Sequence, residues 1–172
     1  KDIGYIMTNK YTNLTQEYLH EIFEYKDGHL YWKKPTNNRN KVGKQVGRVN
    51  KKGYLEVGIN YKKYLMHRII FFMKHGFLPK EIDHIDCNKT NNLIENLREA
   101  TTSQNQCNSP MPKTNTSGIK GVSWAKKTKK WRSQIKVHQK CIFLGEYTDI
   151  KLAENAVIQA RIKYHGNFAR QK

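Results

Sequence analysis

The chain has 172 residues, enough for one medium core or two small ones, and carries 32 lysines and arginines against 14 acidic side chains, a formal charge of +18. That balance points to a polyanion, with nucleic acid the economical partner, ahead of an acidic protein or a membrane surface. No apolar run approaches the twenty residues of a membrane span, no secretion signal is read, and Cys87, Cys107 and Cys141 are too few and too scattered for a disulfide framework or a zinc knuckle.

These features predict a soluble monomer of a reducing, cytoplasmic compartment, with no membrane partner. The charge is spread unevenly. Residues 1–108 hold 18 basic against 11 acidic side chains, +7, and residues 109–172 hold 14 against 3, +11.

Residues 1–12 show no periodicity and read as a loose arm. From Asn13 as cap, with Gln16 at the third helical position, an apolar stripe of Leu14, Tyr18, Leu19, Ile22 and Phe23 predicts an amphipathic helix. Asp27-Gly28 is a turn, and residues 29–33 read as a strand. Residues 35–44 are polar and irregular; Arg39, Lys41 and Lys44 there either track a DNA backbone or coat a solvated loop. Three short strands follow at 46–49, 54–59 and 62–66, with Arg48 and Lys62 placed to face a duplex. Residues 67–75 read as a helix with Ile69, Ile70, Phe71 and Met73 in the core and Gly76 as its stop.

The stretch from Glu81 to Asn105 carries the chemistry. Ile82 and Ile85 flank Asp83-His84 as a short strand end, and the Asp, Asn and Lys cluster after them demands turns and side-chain-to-backbone bonds. A second strand fits residues 96–99. Thr101 with Gln104 then forms a capping-box pattern for a helix of roughly two turns bearing Asn105. Asp83 and the Asn105 amide oxygen are hard ligands suited to Mg²⁺ or Mn²⁺, with Ca²⁺ also within their range. An imidazole beside the ion rather than on it, that of His84, is suited to take a proton from water.

Asp83-His84-Ile85-Asp86, Asn88 to Asn92, Asn96-Leu97-Arg98 and Asn105 together resemble the HNH (ββα-metal) nucleases, in particular phage and intron homing endonucleases. The resemblance implies a ββα-metal core, Asp83 and Asn105 as metal ligands, His84 as general base, and Asn96 as the central asparagine that braces the loop. Asn105 stands where the family name has histidine. The likeness extends loosely over residues 64–72; there His67 reads as structural ahead of a second active histidine, and Arg68 as a phosphate contact or a support for the site.

Residues 109–117, with Pro110 and Pro112, read as a linker. Beyond it, strands at 121–126, 131–137 and 140–147, turning at 127–130 and His138-Gln139, precede a helix at 150–164. That helix would bury Leu152, Ala153, Ala156, Val157, Ala160 and Tyr164. On the middle strand Arg132, Gln134 and Lys136 share one face, opposite Trp131, Ser133, Ile135 and Val137. Arg132 and Gln134 would meet base edges, Lys120, Lys126 and Lys130 phosphates, and Lys140 the groove margin. Trp124 and Trp131 read as core or core-edge residues. Residues 117–124, 131–135, 143–147, Glu154 to Ala156 and Tyr164 to Ala169 resemble the AP2 DNA-binding domain.

The sequence therefore predicts an α+β protein: a nuclease domain at 1–108 with a small antiparallel sheet, a linker at 109–117, and at 118–172 a three-stranded antiparallel sheet packed on one helix, AP2-like. The expected activity is metal-dependent, site-specific hydrolysis of duplex DNA, of homing or nicking type, in the host cell of a phage or mobile element, with no organic cofactor. The alternatives are a DNA-binding regulator without catalysis and a nonspecific HNH nuclease.

Overall fold

The computed structural model describes residues 11, 14–109, 111, 114–137 and 140–168. They fall into two compact units, Lys1–Glu99 and Ala100–Lys172. The expected arm, apart from Tyr11, and the Asn13 cap lie outside the described residues, as do Lys113, the His138-Gln139 turn and Ala169.

In the first unit, α1 (Gln16–Ile22) begins after Thr15, whose side chain accepts from the Tyr18 N–H. Phe23 does not extend the helical stripe. It takes extended backbone and opens β1 (Phe23–Lys26), which pairs antiparallel with β2 (His29–Trp32). The two-residue turn between them has positive φ at both Asp27 (49°) and Gly28 (77°), the twist that suits a tight hairpin. Phe23 and Trp32 meet inside, ring centroids 4.7 Å apart. Residues 35–44 are irregular but anchored at their end: Gly43 N–H donates to the Trp32 carbonyl (2.8 Å) and Val46 N–H to that of Leu30 (2.8 Å).

Strands β3 (Arg48–Val49), β4 (Leu55–Ile59) and β5 (Lys62–Leu65) form an antiparallel sheet in that order. The chain then enters α2 (Met66–His75) directly. Met66, His67 and residues 69–73 are all buried, so this short helix is the middle of the core. Gly76 ends it in the left-handed region at φ 75°, as the sequence predicts. On α1, Gln16 Nε2 donates to the Met73 carbonyl at 2.7 Å and His20 Nε2 reaches the same oxygen at 3.0 Å, satisfying an end of α2 that no helical partner can. Strand β6 (Glu81–His84) pairs with β7 (Leu97–Ala100), with a single 3-10 turn, Ile94–Asn96, ahead of β7.

The second unit starts with Ala100, so α3 (Thr102–Cys107) is grouped with the C-terminal residues rather than with the first 99. The capping box forms as predicted: Thr101 accepts from the Gln104 N–H (3.2 Å) and Gln104 Oε1 from the Thr101 N–H (2.8 Å). Helix α3 packs on the 3-10 turn Gly166–Phe168, and Lys120 Nζ donates to the Cys107 carbonyl at 3.0 Å. Part of the expected linker folds back as well, since Ser117 Oγ donates to the Val122 carbonyl at 2.7 Å and Asn115 Nδ2 to that of Ile119 at 3.0 Å.

Strands β8 (Val122–Ala125), β9 (Lys130–Val137) and β10 (Lys140–Tyr147) form an antiparallel sheet with β9 in the middle, and α4 (Ile150–His165) packs against it. The alternation on β9 is as read: Arg132, Gln134 and Lys136 exposed, Ser133 and Ile135 buried. The helix face needs correction. Leu152 and Tyr164 are exposed, and the buried set is Ala153, Val157, Ala160 and Arg161. The alanines of that set, Ala153 and Ala160, let the helix sit close to the strands, where Ser133 Oγ donates to the Ala153 carbonyl at 2.8 Å. The Arg161 guanidinium donates to the Lys120 carbonyl. Trp124 is also more exposed than a core residue, resting edge-on against Trp131.

Among the described residues no helix is long and apolar enough to cross a membrane.

Candidate active site

Strand β6 ends in Asp83 and His84, and both are buried, 4% and 6% exposed. Their environments differ because neighbours on a strand face opposite ways. Arg98, on the paired strand β7, donates from Nε (2.9 Å) and Nη2 (2.7 Å) to Asp83 Oδ2. A buried carboxylate needs such a partner to offset its lost hydration.

The His84 ring is held on several sides. Its Nε2 lies 3.0 Å from Oδ1 of Asn92, which is 1% exposed. The His67 ring meets it edge-on at 5.0 Å, and the Tyr54 ring stands 6.1 Å away, with Lys89 Nζ 4.7 Å above the Tyr54 centroid. Burial first, then the neighbouring His84 and Arg68 charges, pulls the His67 imidazole down to about 3, so it is a neutral wall at ordinary pH. Burial, then Glu81 and Asp83, pushes the Tyr54 hydroxyl up, so it stays a phenol.

The loop between β6 and β7 is tied by its own polar side chains. Asn96 does most of the tying: its carbonyl accepts from Ile85 N–H (2.9 Å), its Oδ1 accepts from Asp86 N–H (3.0 Å), and its Nδ2 donates to Asp86 Oδ1 (2.9 Å) and the Asn91 carbonyl (2.8 Å). Asp86 also accepts from Asn88 N–H (2.8 Å) and Asn91 Nδ2 (2.7 Å). Burial works against the ionised Asp86, but the bonds from Asn91, Asn88 and Asn96 prevail and hold its carboxyl below the usual range. The β1–β2 hairpin presses on this loop from outside. A Cβ on Gly28 would lie 2.9 Å from Leu93 N and 3.2 Å from the Asn92 carbonyl carbon, and Tyr25 Oη accepts from Ile94 N–H at 3.1 Å. The backbone carrying Asn92 is thereby fixed against the core.

Asp83, His84 and Asn96 thus come together in the first unit, while Asn105 stands half-buried on α3 in the second. The described residues contain no group of three or more His, Cys, Asp or Glu side chains able to hold a metal ion. The donors present are of another kind. A buried carboxylate such as Asp83 is a hard ligand that fits Mg²⁺ or Mn²⁺ with water and phosphate completing the shell, not a sulfur- and nitrogen-rich zinc site.

The cations read as DNA contacts divide into three groups. Arg39, Lys41, Lys44, Lys62, Lys126, Lys130, Lys136 and Lys140 are exposed, as is Gln134. Arg39, Lys44 and Arg48, joined by Lys63, line a groove of about 520 Å³. Arg48 is paired with Glu56 at 3.2 Å and Arg132 with Glu146 at 2.9 Å, so a phosphate would have to compete with a carboxylate for each. Two others point inward. Arg68 donates to the Pro79 (3.0 Å) and Lys80 (3.3 Å) carbonyls, bracing the segment that feeds β6, and Lys120 Nζ is engaged with the Cys107 and Ser109 carbonyls.

Sequence reasoning did not single out Asn92, Tyr54 or the Arg98–Asp83 pair. Asn91 and Asn92 are alike on paper, and only the path of the loop sends one to Asp86 and the other to His84. Tyr54 lies thirty residues before His84, in a hairpin turn with no marker of its own.

Residues 64–107 match the model of a family described as HNH endonuclease. The chain is 36% identical over 114 residues to Protein 3.8 of Escherichia phage T7, covering 64% of this chain and 92% of that one. It is 40% identical over 84 residues to an uncharacterized HNH endonuclease of Acanthamoeba polyphaga mimivirus, covering 47% of this chain and 42% of the relative. No solved structure matches.

Proposed function

Because the chain belongs to the HNH endonuclease family, we propose that it is a site-specific, divalent-metal-dependent endonuclease that hydrolyses phosphodiester bonds in double-stranded DNA, of the homing or nicking type. The observation that carries this reading is the buried Asp83-His84 pair at the end of β6, held by a loop that Asn96 closes on itself. His84 takes a proton from the attacking water. A packed wall of His67 and Tyr54 keeps its ring from rotating, which preserves the attack geometry between turnovers. Asn96 keeps the start of the loop at a fixed distance from β7, so His84 and Arg98 stay in register.

Asp83 and Asn105 would hold Mg²⁺ or Mn²⁺, which when bound neutralises charge on the transferring phosphoryl group and on the leaving oxygen. Arg98 then has a second use. Bonded to Asp83, it would orient that carboxylate toward an ion and lend positive charge to a nearby phosphate.

The second unit extends the contact along the duplex. Three antiparallel strands backed by a helix, with Arg132, Gln134 and Lys136 on the open face, support an AP2-like module reading a groove, and tethering it to the cutting centre lengthens the recognised site. We place the protein in the host cell of a phage or mobile element, acting as a monomer that nicks one strand per binding event.

Incubation with a long duplex and Mg²⁺, followed by mapping of the ends on both strands, tests the proposal. His84→Ala, Asp83→Ala and Asn105→Ala should each lose cleavage by about 100-fold or more while keeping most of the DNA affinity. Cleavage at wild-type rate in His84→Ala would remove the mechanism, and cuts scattered along the duplex would replace site-specific action with nonspecific nuclease activity.

A further inference from the structure

Two glycines line the groove that Arg39, Lys44, Arg48 and Lys63 share, and they are there for different reasons. Gly47 has φ 106°, and a Cβ on it would run into Met66 Cε, so the fold itself demands glycine at that position. Gly58 has neither reason. It lies inside β4, its φ is not in the left-handed region, and a Cβ on it would meet nothing within 4 Å. Glycine in a strand interior weakens the strand, because it brings no side chain to pack and loses the most backbone freedom on folding. Where neither conformation nor packing asks for it, such a glycine marks a place where another molecule comes close to the backbone.

The charges around Gly58 say what kind of molecule that is. Gly58 and Glu56 are two apart on β4 and share a face, opposite Lys63 on β5 and Arg48 on β3 respectively. Arg48 Nε (3.2 Å) and Lys63 Nζ (3.7 Å) meet at the same Glu56 oxygen, so two cations share one carboxylate charge. Arg39 and Lys44, from the irregular segment before β3, are exposed and belong to no ion pair among the described residues. Among the described residues the lining therefore sets four cations against one acid, in a space of about 520 Å³ that has room for more than a single small anion. Of the polyanions such a surface attracts, the endonuclease family of this chain selects a phosphodiester backbone.

We propose that this groove seats one sugar–phosphate strand of the duplex, and that Gly58 is glycine so that the strand reaches the sheet, where Arg48 and Lys63 meet its phosphates. The proposal rests on the reading of the protein as an enzyme that acts on DNA. Glu56 draws both cations onto the sheet beside Gly58 in advance, and a phosphate competes for the charge that one carboxylate leaves over. Contacts of this kind fix the register of the duplex and carry no base preference of their own.

The full chain with Gly58→Val, bound to duplex DNA in EDTA so that affinity is read without cutting, gives the direct test. Valine adds no charge and suits a strand better than glycine, so the melting midpoint should equal or exceed that of wild type. The dissociation constant should nevertheless rise about tenfold, because the added methyls occupy the floor that the strand needs. Equal affinity overturns the proposal. If valine does not fold, Gly58→Ala, whose Cβ meets nothing, decides in the same way, and a midpoint below wild type in that variant would show that folding itself demands the glycine and would overturn the proposal too. Independently, Arg39→Ala with Lys44→Ala should flatten the dependence of log affinity on log salt by about 0.9 for each lost phosphate contact; an unchanged slope means that no strand lies in the groove. Failure of the wider reading looks different: wild type would then leave duplex DNA uncut in Mg²⁺, whatever Gly58→Val does to affinity.

Discussion

His67 shows how one side chain can couple the core to the acidity of the medium. Its imidazole is 5% exposed and is pulled down to about 3 in the fold, against about 6.5 in an unfolded chain. The unfolded chain therefore binds more protons between those values, so stability is fully present above about pH 6.5 and falls as pH drops through that window toward 3. The slope is on the order of 1.4 kcal/mol per pH unit for this one group. Comparing urea unfolding at pH 7 and pH 4.5, His67→Leu should lose about 2 to 3 kcal/mol less than wild type over that interval. An equal loss in both would mean that this imidazole does not govern the acid response. Its burial and its neutral ring at ordinary pH are consistent with the sequence reading of His67 as structural.

Short elements here derive their form from what lies against them. The helix expected to run through Phe23 stops at Ile22 because the next residues do better as a hairpin strand with Phe23 and Trp32 packed inside. That hairpin's turn is in turn part of the site. Gly28 combines φ 77° with a backbone contact that no Cβ fits, so Gly28→Ala should cost about 2 kcal/mol and shift the Asn92–Leu93 backbone. The expected readout is a fall in both thermal stability and kcat, whereas Gly43→Ala, at similar φ (77°) but with nothing within 4 Å, should affect stability alone. If Gly28→Ala leaves kcat unchanged, the hairpin does not position the loop. The capping box at Thr101 illustrates the opposite case, a local pattern sufficient by itself, since both of its bonds join residues three apart.

Across the whole chain, the +18 charge is the property most easily measured. Lys126, Lys130 and Lys136 are exposed in the second unit, and none of them is in an ion pair described for it. Replacing the three by alanine should weaken DNA binding without preference for sequence and flatten the dependence of log affinity on log salt by about 0.9 for each lost phosphate contact. Gln134→Ala, on the same face, should relax base preference at one position while leaving the salt slope alone. An unchanged slope in the triple variant would place the duplex elsewhere, for example along the groove lined by Arg39, Lys44 and Lys63.

The sequence by itself determined the helix stop at Gly76, the capped α3, the alternation on β9 and the acid–histidine pair, because each depends on periodicity or on bonds between residues a few positions apart. It also showed the basic excess, which needs only counting. Tertiary structure alone decided which asparagine serves His84, that Arg98 meets Asp83, that Leu152 and Tyr164 face water while Arg161 is buried, and that Lys120 and Arg68 bond to backbone carbonyls. Those outcomes depend on distances across loops and between elements, where a shift of one residue or a 100° turn of a helix exchanges one side chain for its neighbour, and no local pattern encodes that choice.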